Sequence, residues 1–153
     1  MLRELRCEMN VELREVTAET VRAVCRLEVS ADQHAYVAPV AVSIAQAHFE
    51  PSAIFRAVYA DDQLVGFILW RDGDRPEAAY LWRFMIDKAH QKMGYARSAL
   101  LLTFSELRAR GFDMLTTSIV RGEHGPLGFY LSLGFIETNE TTRSGEWVLQ
   151  RSL

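Results

Sequence analysis

No stretch of this sequence approaches the ~20 consecutive apolar residues that a membrane-crossing helix needs. Met1 to Asn10 carries charges where a secretory signal would be apolar. The protein is therefore expected in the cytoplasm, with no membrane among its partners. Cysteine is scarce: Cys7 and Cys25 are the only two, and no paired Cys/His spacing surrounds them. That argues against a disulfide framework and a structural zinc site, so no metal is expected. Cys25 falls in an amphipathic helical pattern and is expected to be a plain core residue. Positive charge is also short. With a net charge of -3 and a pI of about 5.8, there is no basic field to draw nucleic acid. Glycine (9) and proline (4) are too few for a disordered or low-complexity chain. What is present is 153 residues, 49% hydrophobic and 24% charged, which suits one packed domain around one core.

Residues 1–8 are charged and aperiodic, and Met9 is a second candidate start leading into an alternating strand. The expectation is an extension over 1–8 and a domain over 9–153. Val11, Leu13 and Val16 mark the first strand; Thr17 caps a helix with Val21, Val24, Cys25 and Leu27 on its apolar face. A polar and aromatic loop over 30–39 precedes a helix over 42–49, which Pro51 stops. Residues 57–60 and 64–70, joined by Asp61-Asp62-Gln63, predict a hairpin. A strand over 79–86, a helix over 98–110 ended by Gly111, a strand over 114–120, a helix over 127–133 ended by Gly134 and a strand over 147–149 follow. That order predicts an α/β (α+β) chain with a mixed sheet and helices on both faces.

The chemistry concentrates between the apolar strand and the long helix, in Asp87-Lys88-Ala89-His90-Gln91-Lys92-Met93-Gly94-Tyr95-Ala96-Arg97. A polar loop with small residues at 94 and 96, feeding a helix N-terminus, is what an anion cradle requires. The backbone approaches closely, free N–H groups point at the ligand, and the helix dipole favours negative charge. A pyrophosphate is the natural occupant. Neither glycine-rich nucleotide-binding form, Gly-x-Gly-x-x-Gly or the one ending in Lys-Ser/Thr, is present.

Gln-x-x-Gly-x-Ala at 91–96 resembles the acyl-CoA pyrophosphate loop of the GNAT (GCN5-related N-acetyltransferase) superfamily, whose usual form is Gln/Arg-x-x-Gly-x-Gly/Ala. Arg83-Phe84-Met85-Ile86-Asp87 looks like the strand that feeds it. Phe129-Tyr130-Leu131-Ser132-Leu133-Gly134-Phe135 resembles the family's aromatic-Tyr-x-x-x-Gly-Phe signature. The resemblance runs from Asn10 to the end and implies a GNAT fold, a mostly antiparallel mixed sheet of six to seven strands. Tyr36-Val37-Ala38-Pro39, the Glu50-Pro51 break and Trp82 to Asp87 look most like bacterial spermine/spermidine acetyltransferases.

The resemblance implies an enzyme that uses acetyl-CoA as co-substrate to acetylate a small cationic amine such as spermidine or spermine, by direct attack in a ternary complex. Cofactor contacts then map onto Phe84, Met85, Ile86, Gln91, Lys92, Met93, Gly94, Tyr95, Ala96, Arg97 and Phe129. Tyr130 maps onto the tyrosine that protonates the leaving thiolate, and a free phenol's pKa near ~10 suits that task without much tuning. Asp32, Tyr36, Glu50, Trp82 and Glu123 are candidates around a cationic acceptor. The base is open among Glu50, Asp87, Glu123 and His124, and His34 is a loop-edge residue. The family's asparagine after the fifth strand is missing from Arg121-Gly122-Glu123-His124-Gly125-Pro126. Apolar residues on the last strand and helix faces suit a homodimer. Two alternatives stand beside the polyamine: another amine, on an amino acid, antibiotic or protein terminus, or a module that binds acyl-CoA without turnover.

Overall fold

A computed structural model describes residues 10–153, so the expected extension over 1–8 lies outside the described residues. Strand β1 (Val11–Arg14) leads to a one-turn helix α1 (Val21–Cys25). A helix this short turns one stripe to the core. Val24 takes that place fully buried and Cys25 is left half-buried, which corrects its expected core position. After a 3₁₀ turn at Ala31–Gln33, α2 (Val40–Ala47) starts immediately behind Pro39, whose missing N–H costs nothing at a helix start.

Strands β2 (Ile54–Ala60) and β3 (Gln63–Asp72) form the expected hairpin. Asp61 and Asp62 have φ of 48° and 64°, the paired positive values of a two-residue type I′ turn. Strand β4 (Ala78–Ile86), a 3₁₀ turn at Lys88–His90 and the long helix α3 (Tyr95–Ala109) come next. β5 (Met114–Ile119), α4 (Leu127–Ser132), β6 (Ile136–Thr141) and β7 (Trp147–Ser152) complete the chain. Helix α3 begins three residues before the expected start, because Gly94 holds φ at +85° and lets Tyr95 enter the helix directly.

The seven strands lie in the order β1-β2-β3-β4-β5-β7-β6. Only β4 and β5 are parallel neighbours, and α3 makes the crossover that a parallel pair requires. One core, with Ile68, Trp70, Leu81, Leu100, Phe104 and Tyr130, fills the face under α3 and α4. A second, with Val24, Val40, Phe67, Leu69 and Met85, fills the face under α1 and α2.

Two irregularities in β4 shape everything that follows. Leu69 pairs with Arg83 but Trp70 pairs with Leu81, so Trp82 is an extra residue in a β-bulge. The bulge sets Trp82 and Arg83 side by side toward α2, where Trp82 packs on the second core and Arg83 reaches Gln46. The pairing of β4 with β5 also stops at Leu81 with Thr117, although β4 runs on to Ile86 and β5 to Ile119. Beyond that point the strands part. The backbone of Phe84 to Ile86 keeps β3 on one side and no strand on the other.

Candidate active site

The gap opened by the parting strands is a cleft of about 890 Å³ that passes through the plane of the sheet. Its wall on the α3 and α4 side is built from β4, the loop into α3, and α4. Phe84 and Phe129 stack across it at 6.4 Å, and Phe129 packs on Tyr130 at 5.4 Å. Asp87 fixes the loop: its carboxylate accepts from the N–H of Glu28 (3.0 Å) and of Ala89 (3.1 Å), and its own N–H donates to Val65 O (2.7 Å). Lys88 and Glu28 form an ion pair beside it. Gln91 Nε2 donates to Ile86 O at 3.0 Å and to Gln33 Oε1 at 2.7 Å, binding the end of β4 to the 3₁₀ turn before α2.

Lys92 and Gly94 both have positive φ, 63° and 85°, the backbone conformation from which anion-binding nests of successive N–H groups are built. The first helical bond of α3 runs from Ser98 N to Gly94 O, so the N–H groups of Tyr95, Ala96 and Arg97 are not used within the helix. Lys92 and Arg97 are exposed and line the same end of the cleft. Donors, a helix N-terminus and two cations thus converge at one spot, as a pyrophosphate needs.

Tyr130 is buried (7% exposed) in the cleft floor against Phe129 and Phe135. Burial pushes its phenol well above the ordinary tyrosine value, and an interaction with Thr117 offsets part of the rise. The expectation of an untuned phenol is corrected accordingly.

Hydroxyls stitch β5 to β4 just before they separate, Thr117 on the Tyr130 side of the sheet and Ser118 with Tyr80 on the α1 and α2 side. Thr117 Oγ1 donates to Leu81 O (3.0 Å), and the Tyr80 and Ser118 hydroxyls share a 2.5 Å hydrogen bond. Glu146, held in the turn before β7 by Thr142 (Glu146 N to Oγ1, 3.1 Å), accepts from Ser144 Oγ at 3.2 Å and from Ser118 Oγ at 3.4 Å. Tyr80, Ser118 and Glu146 therefore form one chain of oxygens at the cleft wall. Sequence reasoning named none of the three, and Glu146 sits in a polar turn that no motif flags. Tyr36 completes this side: it rests on Gly122 and Gly125, where a Cβ on Gly122 would come within 1.9 Å of the Tyr36 hydroxyl oxygen. The stretch that lacks the family's asparagine instead seats this ring.

Of the residues named from the sequence, Phe84, Met85, Ile86, Gln91, Lys92, Gly94, Tyr95, Ala96, Arg97, Phe129, Tyr130, Tyr36, Trp82, His34 and His124 line the cleft. Met93 points away, 54% exposed. Glu50 lies off the cleft and accepts from Ser52, which holds its carboxyl below the usual range. Glu123 is exposed in the loop after β5 and does not line the cleft, and Asp87 is committed to its two backbone bonds. Asp32 sits beside His124 at 3.8 Å, its carboxyl lowered by a 2.6 Å bond from Ser30.

Residues 15–135 match the acetyltransferase (GNAT) family. No curated protein matches the chain in sequence. Solved structures share the fold at low identity. The PaiA N-acetyltransferase of Thermoplasma acidophilum, in complex with coenzyme A, is 16% identical with a TM-score of 0.71, over 95% of this chain and 100% of its own. The ribosomal-protein-S18-alanine N-acetyltransferase of Escherichia coli is 18% identical with a TM-score of 0.68, over 93% of each chain. A GNAT acetyltransferase of Elizabethkingia anophelis with acetyl-CoA bound is 14% identical with a TM-score of 0.68, over 94% of this chain and 99% of its own. Family match, sheet order and parted strands agree: the chain belongs to the acetyltransferase (GNAT) family of acyl-CoA-dependent N-acetyltransferases.

Proposed function

We propose that the domain over 9–153 transfers the acetyl group of acetyl-CoA to the primary amine of a small acceptor, by direct attack with both substrates bound. The observation that carries this reading is the free edge of β4 at Phe84 to Ile86 leading straight into the Lys92–Gly94 loop, with Tyr130 in the floor of the same cleft. The loop N–H groups, Lys92 and Arg97 hold the pyrophosphate. The β4 edge and the two phenylalanines hold the pantetheine arm. Acetyl-CoA supplies an activated acyl group: a C–N bond forms to the amine as the C–S bond breaks.

An ammonium cannot attack, so its proton must leave first. Glu146 is the receiving carboxylate in this reading, through Ser118 and Tyr80. Tyr130 gives its proton to the departing sulfur.

A polyamine acceptor gains less support. Glu146 is the one carboxylate among the described residues that lines the cleft. The rings of Tyr80 and Trp82, which would attract ammonium groups, already carry the Arg71 guanidinium at 4.6 Å and 5.6 Å. The site suits a single ammonium beside Glu146. The protein is proposed to act in the cytoplasm as a homodimer, supported by the open β6 edge with Ile136 57% exposed.

Thiol release from acetyl-CoA, run against polyamines, amino acids, aminoglycosides and simple amines, tests the reading. Release with at least one class is expected. Coenzyme A binding with no release across the panel would replace it with a binding role.

A further inference from the structure

Arg83 has a charge that the protein does not match. Its side chain lines the cleft on the α2 side, where the β4 bulge places it next to Trp82. One Nη donates to the Trp82 carbonyl at 2.8 Å and the other to Gln46 Oε1 at 3.1 Å, both neutral acceptors. Its Nε–H is buried with no hydrogen-bond partner. Among the described residues no carboxylate stands in ion-pair range of Arg83.

A half-buried guanidinium without a counterion is costly to maintain. Burial accordingly weakens its hold on its proton, and Glu146 and Tyr80 oppose that only from a distance. On the α2 side, away from Lys92 and Arg97, the wall thus presents the cation Arg83 and the anion Glu146, separated and facing the same space. That pair is complementary to a zwitterion: ammonium toward Glu146, carboxylate toward Arg83.

We infer that the acceptor is an amine that also bears a carboxylate, an amino acid, and that Arg83 is the specificity-determining residue that binds this carboxylate. The inference rests on the acetyl-transfer reading and names its substrate class. The planar guanidinium suits a carboxylate through paired N–H donors, a geometry that lysine does not reproduce.

The test compares matched amines that differ only by the carboxylate: phenylalanine with phenethylamine, leucine with isopentylamine, and γ-aminobutyrate with propylamine. The last pair reports the spacing between the two charges. In at least one pair, kcat/KM for the carboxylate-bearing member should exceed its partner by roughly 10- to 100-fold. Arg83→Gln should erase that ratio, and Arg83→Lys should retain part of it, with the KM for acetyl-CoA unchanged in both. A merely structural arginine would lower both members of a pair together. Equal rates within every pair, or faster reaction of the decarboxylated amines, would overturn the inference.

Calorimetric titration of the coenzyme A-saturated protein with the same pairs separates the two levels of the argument. If no amine is acetylated yet the carboxylate-bearing members bind more tightly to the wild type than to Arg83→Gln, the transfer reading falls and Arg83 keeps its role. If neither rate nor affinity distinguishes the pairs, the role of Arg83 falls. Should Arg83→Gln fail to fold, the wild-type ratio and Arg83→Lys decide the matter.

Discussion

A phenol buried as deeply as Tyr130 is a weaker acid than a free one, which at first sight disqualifies it as a proton donor. The sulfur it serves develops its negative charge in the same enclosed place, so exclusion of water raises the proton affinity of both. What matters is the difference between them, and that stays close to the small difference between a free phenol and a free thiol. Tyr130→Phe should lower kcat by roughly 100-fold and leave the KM for acetyl-CoA unchanged, as initial rates of thiol release would report. The pH dependence follows from the sign of the shift. A raised pKa means that the phenol keeps its proton beyond about pH 10, so ionisation of Tyr130 should cause no fall in kcat below that pH. The same shift favours the folded state below about pH 10 and loses that contribution as pH rises further, because the unfolded chain then ionises first. Urea titrations between pH 9 and 11 should show a smaller decline in stability for Tyr130→Phe than for the wild type.

At the scale of elements, the acceptor side depends on how two loops meet. Tyr36, before α2, lies on the glycines of the loop after β5, and a methyl group at Gly122 would occupy the place of its hydroxyl. Gly122→Ala should therefore displace the ring and raise the KM for the amine several-fold, with the KM for acetyl-CoA unaffected; equal changes in both would show that Tyr36 is not an acceptor residue. The sequence made the cofactor side readable because that side is built from contiguous backbone, a strand, a loop and a helix start, which leave a spacing pattern. The acceptor side is assembled from β4, β5, the α1–α2 segment and the turn before β7, so Tyr80, Ser118 and Glu146 left no pattern at all. Acidity alone misdirected attention to Glu50 and Glu123, which lie off the cleft. Strand β6 was unreadable for a related reason. Ile136 is its one large apolar residue, and the strand exists because β7 offers an edge to pair with.

For the whole molecule, the two cores meet only through the sheet, and the cleft interrupts that sheet where β4 and β5 part. A ligand spanning the gap joins the loop before α3, the end of β4 and α4. At coenzyme A concentrations about 100 times Kd, the folded state should gain about 2.7 kcal/mol. For a domain of this size that raises Tm by roughly 5–10 °C, readable by differential scanning fluorimetry; no shift would mean that the cleft does not take coenzyme A. The cleft is also lined from both faces of the sheet instead of lying along one. Phe84, Phe129 and Tyr130 belong to the core under α3 and α4, whereas Trp82 and Met85 belong to the core under α1 and α2. Under the proposed transfer, acyl donor and amine would meet from opposite faces of the sheet, so thiol and amide would leave by opposite faces. Either substrate would then be free to arrive first, and initial-rate patterns with both substrates varied would report it.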